Sequence, residues 1–555
     1  MKTDSIRKRM PCQRDKADSN RDNTSLSVQL SADQRFLVPS VVSPMRKTAR
    51  ERIDLGVGAR FVEQPGLTPP PRPNTRRAER LLLVLFLLSL PFLNPWVRGD
   101  GVGYYAFVRA PLIEQNLDFT KDYQHANESF RGPRLDEYGR PKSAFRTPTG
   151  HLDNHFTVGP AILWTPFLLL AHAAVLLARA LGSTVAADGF STPYRVTMAL
   201  ATALYGFLGL LLAFRLARQY VEERWAFLAT LSIWWASSLP VYMYFNPSWS
   251  HAHSAFAVAL FLWYWHETRS SRSPAQWLIL ALIAGLMLNI YYANAMVLAV
   301  LAVEALRQYL AAFRRDPRVA TSEFPRVSDL LLHHFLFAAV VLICLLPTFI
   351  TRYIVFGNAF ESGYIPIKDW LWFSPAFLDV LFASNHGLLV WTPILFLAIV
   401  GLILFWRREP RAGAAFLAAF LAFYFLIACY PDWAGISSYG NRFFVSLTAL
   451  FILGLGVFLD RSAQYFRSRK AALAAASAVL AVFVLWNVGL MFQWGSHLVP
   501  ARGPVSFSEA LHNQFFVVPR QLTSDLRAYL FRRKALMQQI EDRDLQQLEK
   551  NPPPR

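Results

Sequence analysis

The stretch NHGLLVWTPILFLAIVGLILFWRREPRAGAAFLAAFLAFYFLIACYPDWAGISSYGNRFF, Asn385 to Phe444, decides the fold class. Its two apolar runs, 387–406 and 412–430, are each close to the 20 residues a helix needs to cross a bilayer. A short basic connector, Arg407–Arg411, joins them, and a polar segment rich in Tyr, Trp, Ser and Asn follows. Neither run has the alternating ten-residue pattern of a membrane barrel strand. Two helices that cross and return are the expectation.

The same signal recurs outward from this pair. A first span is expected over Arg80–Val97, with further apolar runs near 158–180, 195–214, 225–245, 252–267, 275–289, 293–309, 330–350, 443–459 and 472–494. The fold class is therefore an all-α polytopic membrane protein of about 11–13 transmembrane helices with a large first outer loop. Composition agrees: 54% of the 555 residues are hydrophobic and only 17% charged, which excludes disorder of the whole chain. Lys and Arg exceed Asp and Glu by 56 to 37, a net charge of +19 that could suggest a nucleic-acid partner. In a chain of spans that excess instead marks cytoplasmic connectors, and no nucleic-acid partner is expected. Cys12, Cys344 and Cys429 are too scattered for a disulfide framework or a metal-ligand spacing.

Three regions are expected. Residues 1–79 read as a disordered basic cytoplasmic tail; the first 80 residues hold 17 Lys and Arg against 9 Asp and Glu. Residues 80–495 form the transmembrane domain. Residues 496–555 make a short polar tail, helical and then Pro-rich and disordered. The basic connectors Arg215–Arg224, Arg269–Arg272, Arg307–Arg326, Arg407–Arg411 and Arg461–Lys470 place one side in the cytoplasm. The opposite side receives the long loops 98–157 and 352–386, the turn Asn246–Ser250, and Tyr430–Asn441. The localisation expected is an inner (plasma) membrane with the chemistry facing outward, since function gathers on loops held by a scaffold. Strict alternation fails between 158 and 309, so one run there must be split, re-entrant or fused.

Candidate residues come from those outer loops. Asp100 lies where the first span leaves hydrocarbon, between Gly99 and Gly101, although an ordinary interfacial Asp would look the same. Tyr104 and Tyr105 follow it and equally suit an aromatic belt. Lys142 and Arg146 offer positive charge for a lipid phosphate, or for the nearby Asp136 and Glu137. His151 and His155 are spaced for one helix face but lack the Glu of a zinc-protease signature. His251 and His253, two apart, point to different sides of a helix. Arg442 enters the membrane directly after a Gly-containing turn, where an unpaired cation is costly. Glu361 could serve acid–base chemistry or simply face water.

Several of these stretches together resemble the GT-C superfamily of integral-membrane glycosyltransferases, and within it bacterial relatives of protein O-mannosyltransferases and lipid A aminoarabinose transferases. The residues that carry the resemblance are Gly99-Asp100-Gly101 with Tyr104-Tyr105, and Asn154-His155-Phe156 with Gly159-Pro160-Ala161. To these are added GNAFESGY, NHGLLVWTPILF and YGNRFF, within residues 80–495. The resemblance implies transfer of a sugar from a polyprenyl-phosphate donor to an acceptor hydroxyl on lipid, glycan or protein, with inversion. It implies Asp100 as catalytic base, and Lys142, Arg146 and Arg442 as donor-phosphate ligands. Tyr104, Tyr105, His155, His251, His253 and Glu361 are the expected substrate contacts. Asp100 is followed by Gly rather than a second acid, and His251 and His253 stand where relatives often carry a carboxylate. No cofactor and no metal site is assigned, with a divalent ion left open. A transporter or flippase for a lipid-linked glycan is the alternative, although the spans carry almost no charge and no internal repeat.

Overall fold

The computed structural model describes residues 76–313 and 326–550. Of the expected tail 1–79, residues 1–75 lie outside the described residues, as do part of the connector Arg307–Arg326 and the Pro-rich end 551–555. Among the described residues there is no strand; two isolated bridges, Leu135 with Pro141 and Arg146 with Leu152, are the extended pairings.

In chain order the principal helices are α1 (Arg76–Ser89), α2 (Asp100–Arg109), α3 (Gly159–Ala180), α4 (Thr192–Ala217), α5 (Glu223–Trp235), α6 (His251–Thr268), α7 (Pro274–Ile290) and α8 (Ala299–Phe313). They continue as α9 (Val327–Cys344), α10 (Leu346–Phe356), α11 (Ile394–Arg408), α12 (Pro410–Cys429), α13 (Thr448–Ala463), α14 (Arg469–Gly495), α15 (Val518–Phe531) and α16 (Arg533–Lys550). Among the described residues, seven segments are long and apolar enough to cross a membrane: α3, α4, Tyr292–Phe313, α9, α12, Arg442–Ala463 and α14. The shorter α7 and α10 are apolar as well. The chain is a polytopic, all-helical membrane protein.

Several expected runs are broken, and proline is the recurrent cause because it supplies no N–H to the helix ladder. Helix α1 ends at Ser89 rather than continuing to Val97; Pro91 sits in the 3₁₀ turn that follows. The run 225–245 stops at Trp235 and resumes as a π turn, Val241–Phe245, after Pro240. That break lies in the region where alternation failed. The run 330–350 divides at Leu345, ahead of Pro347.

Each break frees backbone polar groups that lipid cannot satisfy, so side chains must. Asn487 of α14 donates to the carbonyls of Trp235 and Ser237, both at 2.9 Å. Asn289 donates to the Cys344 carbonyl at 2.7 Å, and accepts from Thr348 Oγ1 at 2.7 Å. Asn289, at the end of α7, thus repairs the gap between α9 and α10.

Helix α13 runs through the middle of the bundle, against α4, α5, α6, α11 and α14. Gly401 and Gly454 bring α11 and α13 so close that a Cβ on either would strike backbone carbonyl of the other helix. Several cations at the basic connectors are paired: Arg215 with Glu79 at 2.9 Å, Arg272 with Glu304 at 2.6 Å, and Arg408 with Asp460 at 3.3 Å.

The loop 98–157 is tied down by Arg109, at the last turn of α2. Its guanidinium forks onto both oxygens of Asp122 at 2.6 and 2.7 Å and reaches Glu114 at 2.9 Å. Arg109 and Asp122 are both buried. Removing one partner of a buried pair strands the other charge, at a cost of about 3–5 kcal/mol. Asp122→Ala is therefore expected to lower the thermal midpoint of the detergent-solubilised protein clearly, and more than Glu114→Ala; equal midpoints would contradict this.

Candidate functional site

Asp100 is the first residue of α2. Gly99 before it adopts φ +54°, a left-handed conformation that favours glycine, and so turns the chain sharply into the helix. A carboxylate at this position also meets the partial positive charge of the helix N-terminus. On the other side, Gly101 packs directly on Ser248, and a Cβ there would collide with that side chain.

The partner of Asp100 comes from far along the chain. Arg442 Nη1 lies 2.7 Å from Asp100 Oδ2. The guanidinium also stacks over Trp249, with Cζ 4.7 Å from the ring centroid. Its Nε has no protein hydrogen-bond partner among the described residues. Trp249 is itself fixed, since its indole N–H donates to the Arg98 carbonyl at 3.1 Å.

An aromatic wall surrounds this pair. Tyr242, Trp249, His251 and Tyr291 form a chain of ring contacts with centroids 4.6 to 6.2 Å apart, and Tyr291 stacks on Phe443. Tyr104 accepts a hydrogen bond from Ser250 at 3.0 Å. His155 packs edge-on against Tyr364 at 4.9 Å. Burial pushes the His155 ring down to about 4, so it is neutral near pH 7.

Arg352 holds the strip that carries His155. Its buried guanidinium donates to the carbonyls of Asn154, His155 and Phe156 at 3.1, 2.7 and 2.9 Å, and to the Tyr292 hydroxyl at 3.2 Å. No carboxylate among the described residues pairs with it within 4 Å, so this cation is satisfied by carbonyl dipoles. A second carboxylate, Asp432, stands close enough to Asp100 and Arg442 to feel both charges.

The sequence-derived candidates separate into groups. Asp100, Arg442, Tyr104, His155 and His251 share this neighbourhood. Lys142 and Arg146 are both exposed, and they donate to carbonyls of their own loop, Gly132 for Lys142, Pro141 and Gly150 for Arg146. Tyr105 is buried on the other side of α2 and donates to the Gly189 carbonyl at 2.7 Å. His253 is fully buried between Trp164 and Tyr205. Glu361 is exposed and accepts from the Gly363 amide at 3.1 Å. Sequence reasoning passed over Asp432, Trp249, Tyr291 and the structural task of Arg352; only the acidic residue inside YPDWAG offered a visible signal. Among the described residues, no group of three or more His, Cys, Asp or Glu could hold a metal ion.

With the geometry in place, comparison with known proteins adds little. No family model matches the chain, and no curated protein matches it. Among solved structures the chain is similar to ArnT from Cupriavidus metallidurans in the apo state, at 14% identity and a TM-score of 0.41, over 76% of this chain and 71% of that one. It is similar also to the same protein bound to undecaprenyl phosphate, at 15% identity and a TM-score of 0.39, with the same coverage. The architecture stands on the chain's own helices.

Burial pushes the Asp432 carboxyl up to about 6, against the pull of Arg442 and with the repulsion of Asp100. The native state therefore holds this proton where the unfolded chain, near 3.8, has released it. The sign follows: ionising Asp432 destabilises the fold as pH rises from about 4 through 6. An infrared carboxyl titration is expected to lose one group near pH 6 in the Asp432→Asn variant; an unchanged titration would reject the assignment.

Proposed function

We propose that this protein is a membrane glycosyltransferase that moves a sugar from a polyprenyl-phosphate donor to an acceptor hydroxyl at the outer face. The donor class and the outward orientation rest on the motif resemblance and the charge asymmetry of the loops. The observation that carries the reading is the contact between Asp100 and Arg442, a carboxylate and a cation at one end of the apolar helices, beside stacked aromatic rings. Such rings suit the faces of a sugar or the first isoprene units of a lipid.

The chemistry proceeds by exchange of partners. A donor phosphate competes with Asp100 for Arg442, which has a free Nε to offer and forks readily onto phosphate oxygens. Released from that cation, Asp100 is free to meet the acceptor hydroxyl. The carboxylate then takes the proton of the acceptor hydroxyl as its oxygen attacks the anomeric carbon. The bond from that carbon to the phosphate oxygen breaks, and the lipid phosphate leaves with the electron pair. Direct displacement inverts the anomeric centre. Arg442 stabilises the charge growing on the phosphate, where a pre-placed cation in a water-poor site acts most strongly. Lys142 and Arg146 stay outside this scheme unless their loop rearranges.

Transport of a lipid-linked glycan is less well supported, because the Asp100–Arg442 pair sits at a helix end rather than along a path through the bundle.

Asp100→Asn is expected to reduce transfer by about 10²–10⁴-fold, the usual contribution of a positioned base, while the amount inserted in the membrane stays normal. Arg442→Lys keeps the charge but loses the fork, so donor KM should rise more than kcat falls. Both are read with a labelled polyprenyl-phosphate sugar in detergent, and full transfer by Asp100→Asn would overturn the mechanism.

A further inference from the structure

The chain after Gly495 does not hang free. Helices α15 and α16 fold back onto the segment that flanks Asp100 on both sides. On the upstream side, the Tyr529 hydroxyl donates to the Phe92 carbonyl at 2.7 Å. Arg533 donates to the carbonyls of Leu93 and, at 2.9 Å, Pro91. Arg98, two residues before Asp100, is paired with Asp544, whose other oxygen takes a hydrogen bond from His497 Nε2 at 2.7 Å.

The downstream flank is held by one carboxylate. Glu541 is buried, an unusual state for a glutamate in so polar a helix. It accepts from the Ser129 amide at 2.8 Å and from Asn127 Nδ2 at 3.2 Å. Asn127 in turn accepts the amide of Gly99 at 3.0 Å. That amide belongs to the left-handed residue that launches α2. A continuous path of hydrogen bonds thus runs from α16 through Asn127 to the peptide preceding Asp100.

We propose that α16 is a positioning element of the Asp100 site, with Glu541 and Asp544 setting the turn from which the carboxylate projects. Glu541 fixes Asn127, and Asn127 fixes the Gly99 amide. Asp544 fixes Arg98, whose carbonyl also receives the Trp249 indole that lies beneath Arg442. Both sides of the Asp100–Arg442 pair are therefore referred to the same helix. This inference rests on the reading of Asp100 as the reacting group, but the geometry can be tested without it.

The test uses the full chain in lipid nanodiscs. In Glu541→Gln and Asp544→Asn, hydrogen exchange at the amides of Gly99 and Ser129 is expected to quicken at least tenfold, while amides of α13 keep their wild-type rates. Transfer should show kcat down about tenfold with donor KM within twofold, and Asp544→Glu should recover most of it. Unchanged exchange at Gly99 overturns the proposal, as does faster exchange with unaltered kcat. If wild-type protein transfers no sugar, the functional reading fails, and the exchange data still decide whether α16 holds the turn.

Discussion

The contact between Asp100 and Arg442 organises much of one end of this molecule. It joins residues 342 positions apart, one at the start of α2 and the other at the start of the Arg442–Ala463 segment. A mostly buried arginine at the end of an apolar bundle needs an anion or a polarised surface close by. Here it has both, a carboxylate and the face of Trp249. The neighbouring structure follows from keeping the two charges together. Gly99 and Gly101 allow the close turn, Ser248 fills the space beside it, and α13 fixes Arg442 by being almost wholly enclosed.

The bundle solves a second problem by similar means. Prolines interrupt its helices, and each interruption leaves carbonyls without donors in a medium that supplies none. Buried amide side chains fill the gaps, with Asn487 serving the break after α5 and Asn289 the break between α9 and α10. Arg352 does comparable work for the strip Asn154–Phe156. Polar side chains within the apolar region are thus joints, and they place the loops that bear the candidate site.

Much of the fold was legible in the sequence because hydropathy over about 20 residues is a local property. The apolar runs became helices, and the basic connectors became helix ends with several paired cations. Helix interruptions were less visible, since Pro240 and Pro347 sit inside runs that remain apolar throughout. For the site, Asp100 and Arg442 each stood out by position, but nothing local told that they touch. Lys142 and Arg146 drew attention through charge alone, and charge does not say which way a side chain reaches. Glu541 and Asp544 gave no signal, because two acids three residues apart on a polar helix look like an ordinary solvated face. Their task depends on a partner more than 400 residues away.

That distance also has a meaning in time. Chains emerge from the ribosome at about 5–20 residues per second. Asp100 therefore precedes Arg442 by roughly 17–70 s, an interval in which most of the bundle enters the membrane. Throughout it the carboxylate stands at a helix end without the guanidinium that later pairs with it. The basic residue that finally meets it arrives on one of the last apolar segments, so the order of synthesis makes this pair a late event in assembly. A membrane protein that joins its first loop to its last third in this way withholds this pairing until nearly all of its helices are in place.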